Sequence, residues 1–207
     1  MISAILAHIA LCAVAVAVAA AIAIPSALLL ADRPTAERGV SALLGALYTV
    51  PSLALLAVLV RFLGLGDTSV ETALVAYALY AIFRSTVAGI RTIPVEQREI
   101  AAALGLPPWR RRLRVELPSA MPAILSGLRI ATLGSIALAT LGGYVGGSGL
   151  GAIIFTGFAL QNRAMLLDGA LGVAALALAS ESAFRLLEMF QRRSSSAGGT
   201  VGALPKR

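Results

Sequence analysis

The longest polar stretch, residues 91–116, concentrates the side chains that could do chemistry: six arginines and three glutamates. Its local order predicts a short helix with Pro94 at a first helical position, where a missing N–H is not needed, and with its end at Gly105, because glycine tolerates the left-handed backbone that stops a helix. Glu99 places negative charge near the helix N-terminus, and three consecutive alanines, residues 101–103, offer a surface of small side chains. This pattern favours docking in a groove of another protein.

Residues suited to metal, redox or nucleotide chemistry are sparse elsewhere. Cys12 is the single cysteine and His8 the single histidine, so the sequence predicts neither a disulfide nor a metal site. The nucleotide-binding pattern Gly-x-x-x-x-Gly-Lys-Ser/Thr does not occur. We therefore predict no catalytic residue and no cofactor in this chain.

The composition indicates a membrane protein. Of 207 residues, 58% are apolar and only 13% charged, about half the usual charged share. The uncharged runs 1–31, 39–60 and 130–162 each exceed the roughly 20 residues that span a bilayer as a helix. We predict an all-α membrane protein with about five transmembrane helices in residues 4–190, followed by a disordered cytoplasmic tail, 191–207.

The elements that position the polar stretch follow from the apolar runs. Pro51 interrupts the second span and frees a backbone carbonyl, which a neighbouring helix or Ser52 must satisfy. Pro118 and Pro122 are expected to open the fourth span. The predicted spans are 4–30, 40–62, 72–90, 118–141 and 165–190, with a short re-entrant or interfacial helix at 152–160.

Basic residues predict the orientation. The loops 31–39 and 91–116 and the tail from 191 hold twelve of the seventeen lysines and arginines, whereas the other side holds only Arg163. Short cytoplasmic loops retain such residues, so the N-terminus is expected outside and the C-terminus inside. The net charge of +7 therefore indicates cytoplasmic loops and a lipid bilayer, and no nucleic-acid partner.

The polar stretch resembles the permease subunits of binding-protein-dependent ABC importers. Their pattern is Glu-Ala-Ala, three residues, Gly, nine residues, Ile-x-Leu-Pro, and this chain matches the spacing throughout. Ile100 replaces the first alanine and Val115 replaces the isoleucine. The resemblance implies a cytoplasmic coupling helix that docks on an ATPase through Glu99, Ala101, Ala102, Gly105, Val115, Leu117 and Pro118.

The wider chain resembles the osmoprotectant branch of that family, which imports glycine betaine, choline, carnitine and related amines. The segments that carry this likeness are 8–11, 49–56, 83–91 and 147–151. The resemblance implies a non-enzymatic permease in the bacterial plasma (inner) membrane. The implied partners are a cytoplasmic ATP-binding subunit that holds ATP and magnesium, an extracytoplasmic substrate-binding protein, and a second permease copy or a similar permease.

The sequence also offers candidates for residues that line the translocation pathway or form its gate. Arg84 and Arg129 lie within predicted spans; each either extends to the membrane surface or faces the interior, where Arg129 would pair with another subunit or Glu181. A cation repels a quaternary ammonium, so neither is expected to bind substrate. Aromatic rings attract such a cation, and the candidates are Tyr48, Tyr77, Tyr80, Tyr144, Phe155 and Phe158.

Three further interpretations concern smaller features. Gly147 and Gly149 belong to the glycine-rich segment 142–151, which is either a flexible external loop or, as we prefer, a close helix approach near an external gate. The arginines of residues 110–114 are expected to anchor the chain to anionic lipid rather than to contact the ATPase. Trp109 is most simply an anchor at the membrane surface.

Other functions remain open from the sequence. The nearest alternative is the same kind of permease for an amino acid such as methionine. An ATPase-independent transporter or channel would need acidic residues at the membrane midplane, for which only Asp168 and Glu181 are available. A purely structural membrane subunit would have no need of the coupling spacing.

Overall fold

The computed structural model describes residues 1–197, without the side chains of Arg98, Ala102 and residues 192–197. This part of the chain is helical throughout, with short turns between the helices. The helices are α1 (Ile2–Leu30), α2 (Pro34–Thr49), α3 (Ser52–Leu63), α4 (Asp67–Arg91), α5 (Val95–Ala103), α6 (Pro108–Arg111), α7 (Leu117–Gly142), α8 (Leu150–Ala159) and α9 (Arg163–Ala197).

The core lies where α1, α4 and α7 pack together. Phe83 and Ile82 of α4 are buried in it with alanines of α1 and α7. Gly89 allows a close approach of α4 to α7, because an added Cβ would lie 2.7 Å from the Cβ of Ala123. Small residues let membrane helices pack closely, and this contact uses them on both sides.

The number of spans agrees with the prediction of about five. Among the described residues, four helical segments are long and apolar enough to cross a membrane, and α2 and α3 together form a fifth if the bent pair counts as one span. The bend is 95° and lies at Pro51. The Tyr77 hydroxyl of α4 donates a hydrogen bond to the Val50 carbonyl at the break. The carbonyl that Pro51 itself leaves free, that of Leu47, accepts from the Val50 N–H at 3.2 Å, so neither a neighbouring helix nor Ser52 satisfies it.

The fourth span does not begin at Pro118, where the sequence predicted it. Helix α6 begins at Pro108 and continues through a π-helical turn, Arg112–Glu116, directly into α7. The Leu117 N–H donates to the Arg112 carbonyl, five residues back, and Pro118 then follows in the first turn of α7. The helix extends into the polar stretch because arginines of this stretch form ion pairs with carboxylates.

The glycine-rich segment joins α7 to α8 at one end of the bundle, here called the glycine-rich end. A 3₁₀ turn, Gly143–Val145, is followed by Gly146 with a φ of +80°. Asp67 accepts hydrogen bonds from both the N–H and the hydroxyl of Ser148, at 2.6 and 2.8 Å. The short helix predicted at 152–160 corresponds to α8.

The last helix is longer than predicted. Helix α9 runs to Ala197, so residues 191–197 of the predicted disordered tail are helical, and the boundary placed after residue 190 falls inside a helix. The apolar pattern ends near Phe190, but a helix can continue into polar residues beyond the membrane. The rest of the predicted tail, 198–207, lies outside the described residues.

Candidate functional site

Helix α5 is a separate short helix between α4 and α6, as the sequence predicted. It ends at Gly105, which has a φ of +69°. The Leu106 N–H donates to the Ala101 carbonyl at 3.2 Å, the backbone bond that closes a helix around a left-handed glycine. Glycine is therefore required here by the backbone, although among the described residues no atom outside the adjoining ones lies within 4 Å of the position of an added Cβ.

Helix α5 exposes apolar side chains that the described part of the chain does not cover, next to exposed polar ones. Ile100 is 61% exposed and Leu104 73% exposed, and Val95 is also exposed. Glu99 is exposed beside them. Exposed apolar side chains on a short helix outside the spans are typical of a surface that another protein covers.

The alanines do not all contribute to that surface. Ala101 is only 3% exposed, so its small size allows α5 to pack against α6 and the π-helical turn. The side chain of Ala102 lies outside the described residues. Sequence reasoning identified the helix but missed Leu104 and Val95, which are recognisable only once the buried side of α5 is known.

The remaining motif residues lie in the π-helical turn, against which α5 packs, and in the first turn of α7. Val115 is half-buried in the π-helical turn. Leu117 packs against the core from the first turn of α7, whereas Pro118 is exposed. The structure thus places the two halves of the motif next to each other, since α5 contacts the π-helical turn.

Ion pairs hold the chain on both sides of α5, at what we call the charged end. Before α5, Arg91 pairs with Glu37 of α2, a side chain that is 4% exposed. Glu37 also accepts a hydrogen bond from the Ser41 hydroxyl at 2.9 Å. The last residue of α4 is therefore tied to the first turn of α2.

After α5, Arg111 joins two carboxylates. Its Nη2 donates to both oxygens of Asp32, at 2.9 and 2.8 Å, and its Nε donates to Glu116 at 3.0 Å. Arg112 makes a second contact with Asp32 at 3.0 Å. Glu116 is 1% exposed, so its charge depends on Arg111. Of the arginines predicted to anchor the chain to lipid, these two pair with carboxylates of the chain itself.

Three consecutive arginines should therefore respond differently to the same substitution. Arg111→Met leaves Glu116 buried without its cation, and we expect a loss of roughly 3 kcal/mol in the free energy of unfolding. Arg112→Met removes one partly exposed contact with Asp32 and should cost much less. Arg110→Met is the control, because Arg110 is exposed and its guanidinium lies 5.0 Å from the Trp109 ring centroid.

Thermal unfolding of the three variants in detergent measures this order. Equal losses for all three arginines would contradict the ion-pair arrangement at the charged end.

A cavity of about 240 Å³ lies beside the break between α2 and α3. Tyr48, Ser52 and Tyr77 line it together with residues of α7, among them Ser135. The Tyr48 ring centroid lies 5.3 Å from that of Tyr77 and 4.7 Å from that of Tyr80. Three of the tyrosines predicted as candidates therefore form one cluster, although Tyr80 packs on Tyr48 and is not among the residues that line the cavity.

The two arginines within spans differ in their surroundings. Arg84 is exposed on α4, four residues after Tyr80. Arg129 of α7 donates from Nε to Glu181 of α9 at 2.7 Å, forms a second contact with the same carboxylate, and lies 3.4 Å from Glu188. Of the alternatives left open by the sequence, the structure shows the pairing of Arg129 with Glu181 within one chain.

Removal of Arg129 should affect the amount of folded protein. Arg129→Gln leaves Glu181 and Glu188 without this cation within a membrane-spanning bundle, where an unpaired charge is costly. Arg185→Gln removes the other partner of Glu181, at 2.8 Å, but from a side chain that is 68% exposed. We expect roughly tenfold less folded protein for Arg129→Gln and little change for Arg185→Gln.

Size-exclusion profiles of the two variants, at equal expression, make the comparison. A well-folded Arg129→Gln protein with altered transport would contradict this expectation and favour a gate.

Two more of the predicted gate residues, Gly147 and Gly149, make tight contacts at the glycine-rich end. An added Cβ at Gly147 would lie 2.8 Å from a methyl carbon of Val70, and one at Gly149 would lie 3.0 Å from the Cβ of His8. Of the two interpretations of the glycine-rich segment, the close approach of helices that we preferred agrees with the contacts of Gly147 and Gly149. Tyr144 is exposed, and its ring centroid lies 5.6 Å from that of Phe155.

Comparison with known families gives one match over most of the chain. Residues 19–195 match the family described as binding-protein-dependent transport system inner membrane component. The match includes α5, both ion-paired regions of the charged end and the tyrosine-lined cavity.

Characterised relatives cover most of the chain as well. The carnitine transport permease protein OpuCB of Listeria monocytogenes is 37% identical over 87% of this chain and 83% of its own length. The osmoprotectant import permease protein OsmY of Salmonella typhimurium is 38% identical over 84% and 73%. The choline transport system permease protein OpuBB of Bacillus subtilis is 32% identical over 92% and 87%.

The fold has a solved counterpart. A chain of the MetNI methionine ABC transporter, in an inward-facing conformation, superposes with a TM-score of 0.84. The match covers 92% of this chain and 95% of the MetNI chain, at 22% sequence identity. The likeness shows the arrangement of the helices and carries no conclusion about substrate.

Proposed function

Because this chain belongs to the family of binding-protein-dependent transport system inner membrane components, we propose that it lines the membrane pathway of an ATP-driven importer for quaternary-amine osmoprotectants. The family places it in the inner membrane as one transport subunit of a larger machine. Glycine betaine, choline and carnitine are the substrates that we assign. A separate binding protein delivers them, and this chain catalyses no reaction.

The observation that carries the proposal is the exposed helix α5, rigidly held between two spans at the charged end. The apolar side chains of Ile100 and Leu104 offer a surface to a partner, and the backbone at Gly105 sets its end. Ion pairs lie on both sides of α5, where Arg91 joins α4 to α2 and Arg111 of α6 joins Glu116 in the π-helical turn that leads into α7. The segments that flank α5 are therefore fixed to the spans, and we expect a push on α5 to be passed to α4 and α7. This is the mechanical arrangement that a coupling helix needs.

The partner at this surface is a cytoplasmic ATP-binding subunit, which holds the ATP and magnesium. Glu99, Ala102 and Gly105 lie in α5 or at its end and form the coupling region with the adjoining residues of the motif. Ala101 is on the buried side of α5, and Val115 lies half-buried in the π-helical turn against which α5 packs. Leu117 is half-buried in the first turn of α7. Pro118 is exposed where α7 begins.

The orientation follows from the same assignment. The charged end, with Asp32, Glu37 and Arg91, faces the cytoplasm, and the glycine-rich end faces outward, towards the binding protein. The N-terminus is therefore outside and the C-terminus inside. The excess of basic residues at the charged end supports this orientation.

The substrate class is supported by the relatives rather than by the fold. Permeases named for carnitine, osmoprotectant and choline transport are 32–38% identical over most of this chain. The methionine transporter shares the fold at 22% identity, which is too distant to favour methionine as the cargo. A second permease, identical or similar, completes the pathway.

Uptake into proteoliposomes tests the proposal. Vesicles that contain this chain, its ATPase and its binding protein are supplied with ATP and with labelled choline, glycine betaine or methionine. We expect accumulation of the quaternary amines and none of methionine. Uptake of methionine alone would reject the substrate class and keep the transport mechanism.

A further inference from the structure

We propose that the cavity beside the α2–α3 break is a transit site for the quaternary ammonium group, formed by the rings of Tyr48 and Tyr77 with Tyr80 behind them. This inference rests on the proposed function, because it names where that substrate class binds inside the membrane. A protein that only spaced other subunits apart would have no use for such a site.

The rings are of the right type and number. A quaternary ammonium cannot donate hydrogen bonds, and the faces of aromatic rings attract it electrostatically. Two tyrosines line the cavity and a third packs on one of them, with centroid distances of 4.7 and 5.3 Å. Tyr48 is 44% exposed, so a substrate can reach the cluster from outside this subunit.

The cavity lies near the middle of the membrane-spanning region. Tyr77 is ten residues after Asp67, the first residue of α4, and fourteen before Arg91, the last, or about 15 and 21 Å along the helix. It also lies where a span is broken, and transporters commonly bind substrates at midplane beside discontinuous helices. The carbonyls at the C-terminal end of α2 add a partial negative charge beside Tyr48.

The rest of the lining selects for this ligand chemistry. The other residues around the cavity are alanines, leucines, an isoleucine, a glycine and two serines, and none of the described lining residues is charged. Methyl groups of a trimethylammonium fit such walls. A primary ammonium would lose its hydrogen bonds to water without a carboxylate to replace them. The hydroxyls of Ser52 and Ser135 offer hydrogen bonds to a carboxylate or hydroxyl elsewhere on the substrate.

The nearby cations do not occupy this cavity. Arg129 is neutralised by Glu181 and Glu188 of α9, although its neighbours Ile130 and Ala131 line the cavity. Arg84 lies one helical turn beyond Tyr80 and is not among the lining residues. The ion pair with α9 therefore removes the repulsion that an isolated arginine would exert on a cationic substrate.

The test measures initial uptake of labelled choline with the full complex and an excess of loaded binding protein, so that capture outside the membrane is equal for all variants. The vesicles contain no choline lipid, because such a headgroup carries the same cation. The variants are Tyr48→Leu, Tyr77→Leu and the ring-preserving Tyr48→Phe. Phe62→Leu, at an exposed position of α3, is the matched control.

We expect the two Tyr→Leu variants to lose about tenfold in uptake per assembled complex, with Tyr48→Phe within roughly twofold of the unaltered protein. Phe62→Leu should transport normally. Wild-type-like uptake by both leucine variants would overturn the site, as would an equal loss for Tyr48→Phe and Tyr48→Leu. Substitutions on two different helices keep the test decisive if one variant fails to assemble.

The same uptake experiment distinguishes a wrong proposed function from a wrong assignment of the cavity. If the unaltered complex transports no quaternary amine, the proposed substrate class is wrong. The assignment of a quaternary ammonium to this cavity is then wrong as well. If the unaltered complex transports choline and the leucine variants match it, only the cavity assignment is wrong.

Discussion

Replacement of Gly105 by tryptophan should separate this chain from its ATPase while leaving the membrane bundle folded. The backbone at Gly105 is left-handed, with a φ of +69°, so any side chain there is strained. The surrounding space within the chain is open, so a tryptophan would project into the surface that the partner covers. We expect uptake to fall on the order of a hundredfold, as for a clash at the centre of a protein interface.

Two comparisons separate backbone strain from a clash with the partner. Gly105→Ala has the strain alone, about 1–2 kcal/mol, and should keep much of the coupled activity. Gly64→Trp is strained at least as much, because a φ of +84° with a ψ of 177° is a conformation that essentially only glycine adopts, but it lies in open space at the opposite end of the bundle. Co-purification of the ATPase is the readout, and normal recovery with Gly105→Trp would contradict the docking assignment.

Replacement of Gly151 by alanine should prevent correct packing at the glycine-rich end. An added Cβ would overlap the backbone carbonyl oxygen of Thr140 and lie 2.9 Å from its carbonyl carbon. Because both contacts are with the backbone of α7, no rotamer change relieves them. We expect a loss of about 3 kcal/mol in the free energy of unfolding, at the upper end for an overpacked site.

Gly39→Ala is the matched control for this substitution. Gly39 lies within α2 and has no atom within 4 Å of an added Cβ. Alanine is favoured over glycine inside a helix by about 1 kcal/mol, so the control should be as stable as the unaltered protein or more so. Thermal unfolding in detergent compares the two, and equal midpoints would show that the close approach of α7 and α8 is not required.

Much of the architecture could be predicted because membrane helices have a strong signal in their composition. Uncharged runs of sufficient length identified the spans, and the order of proline, glutamate, alanine and glycine identified α5 with its end at Gly105. Local rules were sufficient to predict α5 because a glycine with a left-handed backbone ends a helix through contacts within a few residues. The short helix α8 was also predicted, since glycines precede it and polar residues follow it.

The misplaced boundaries have a common physical cause. The sequence placed the start of the fourth span at Pro118 and disorder from Gln191, because polar residues were assumed to leave the helix. In the structure, Arg111 pairs with Asp32, seventy-nine residues away, and the helix continues through the polar segment. Ion pairs between residues so far apart in the sequence depend on how the spans pack. A single sequence does not reveal that packing.

The tyrosine cluster shows the same limit. Tyr77 and Tyr80 were predictable as neighbours on one face of a helix, since they are three residues apart. Tyr48 joins them because α2 packs against α4, a contact between helices that the spacing of residues does not predict. The sequence predicted a disturbed span at Pro51, but not the bend of 95° between α2 and α3.

Dependence of uptake on ATP hydrolysis tests the central claim most directly. Proteoliposomes with this chain and its binding protein are compared with an active ATPase, with an ATPase inactivated for hydrolysis, and with no ATPase, each at equal protein. We predict that labelled choline accumulates only with the active enzyme and in proportion to the ATP consumed. Equal accumulation in all three preparations would contradict the importer assignment and indicate an independent transporter or channel.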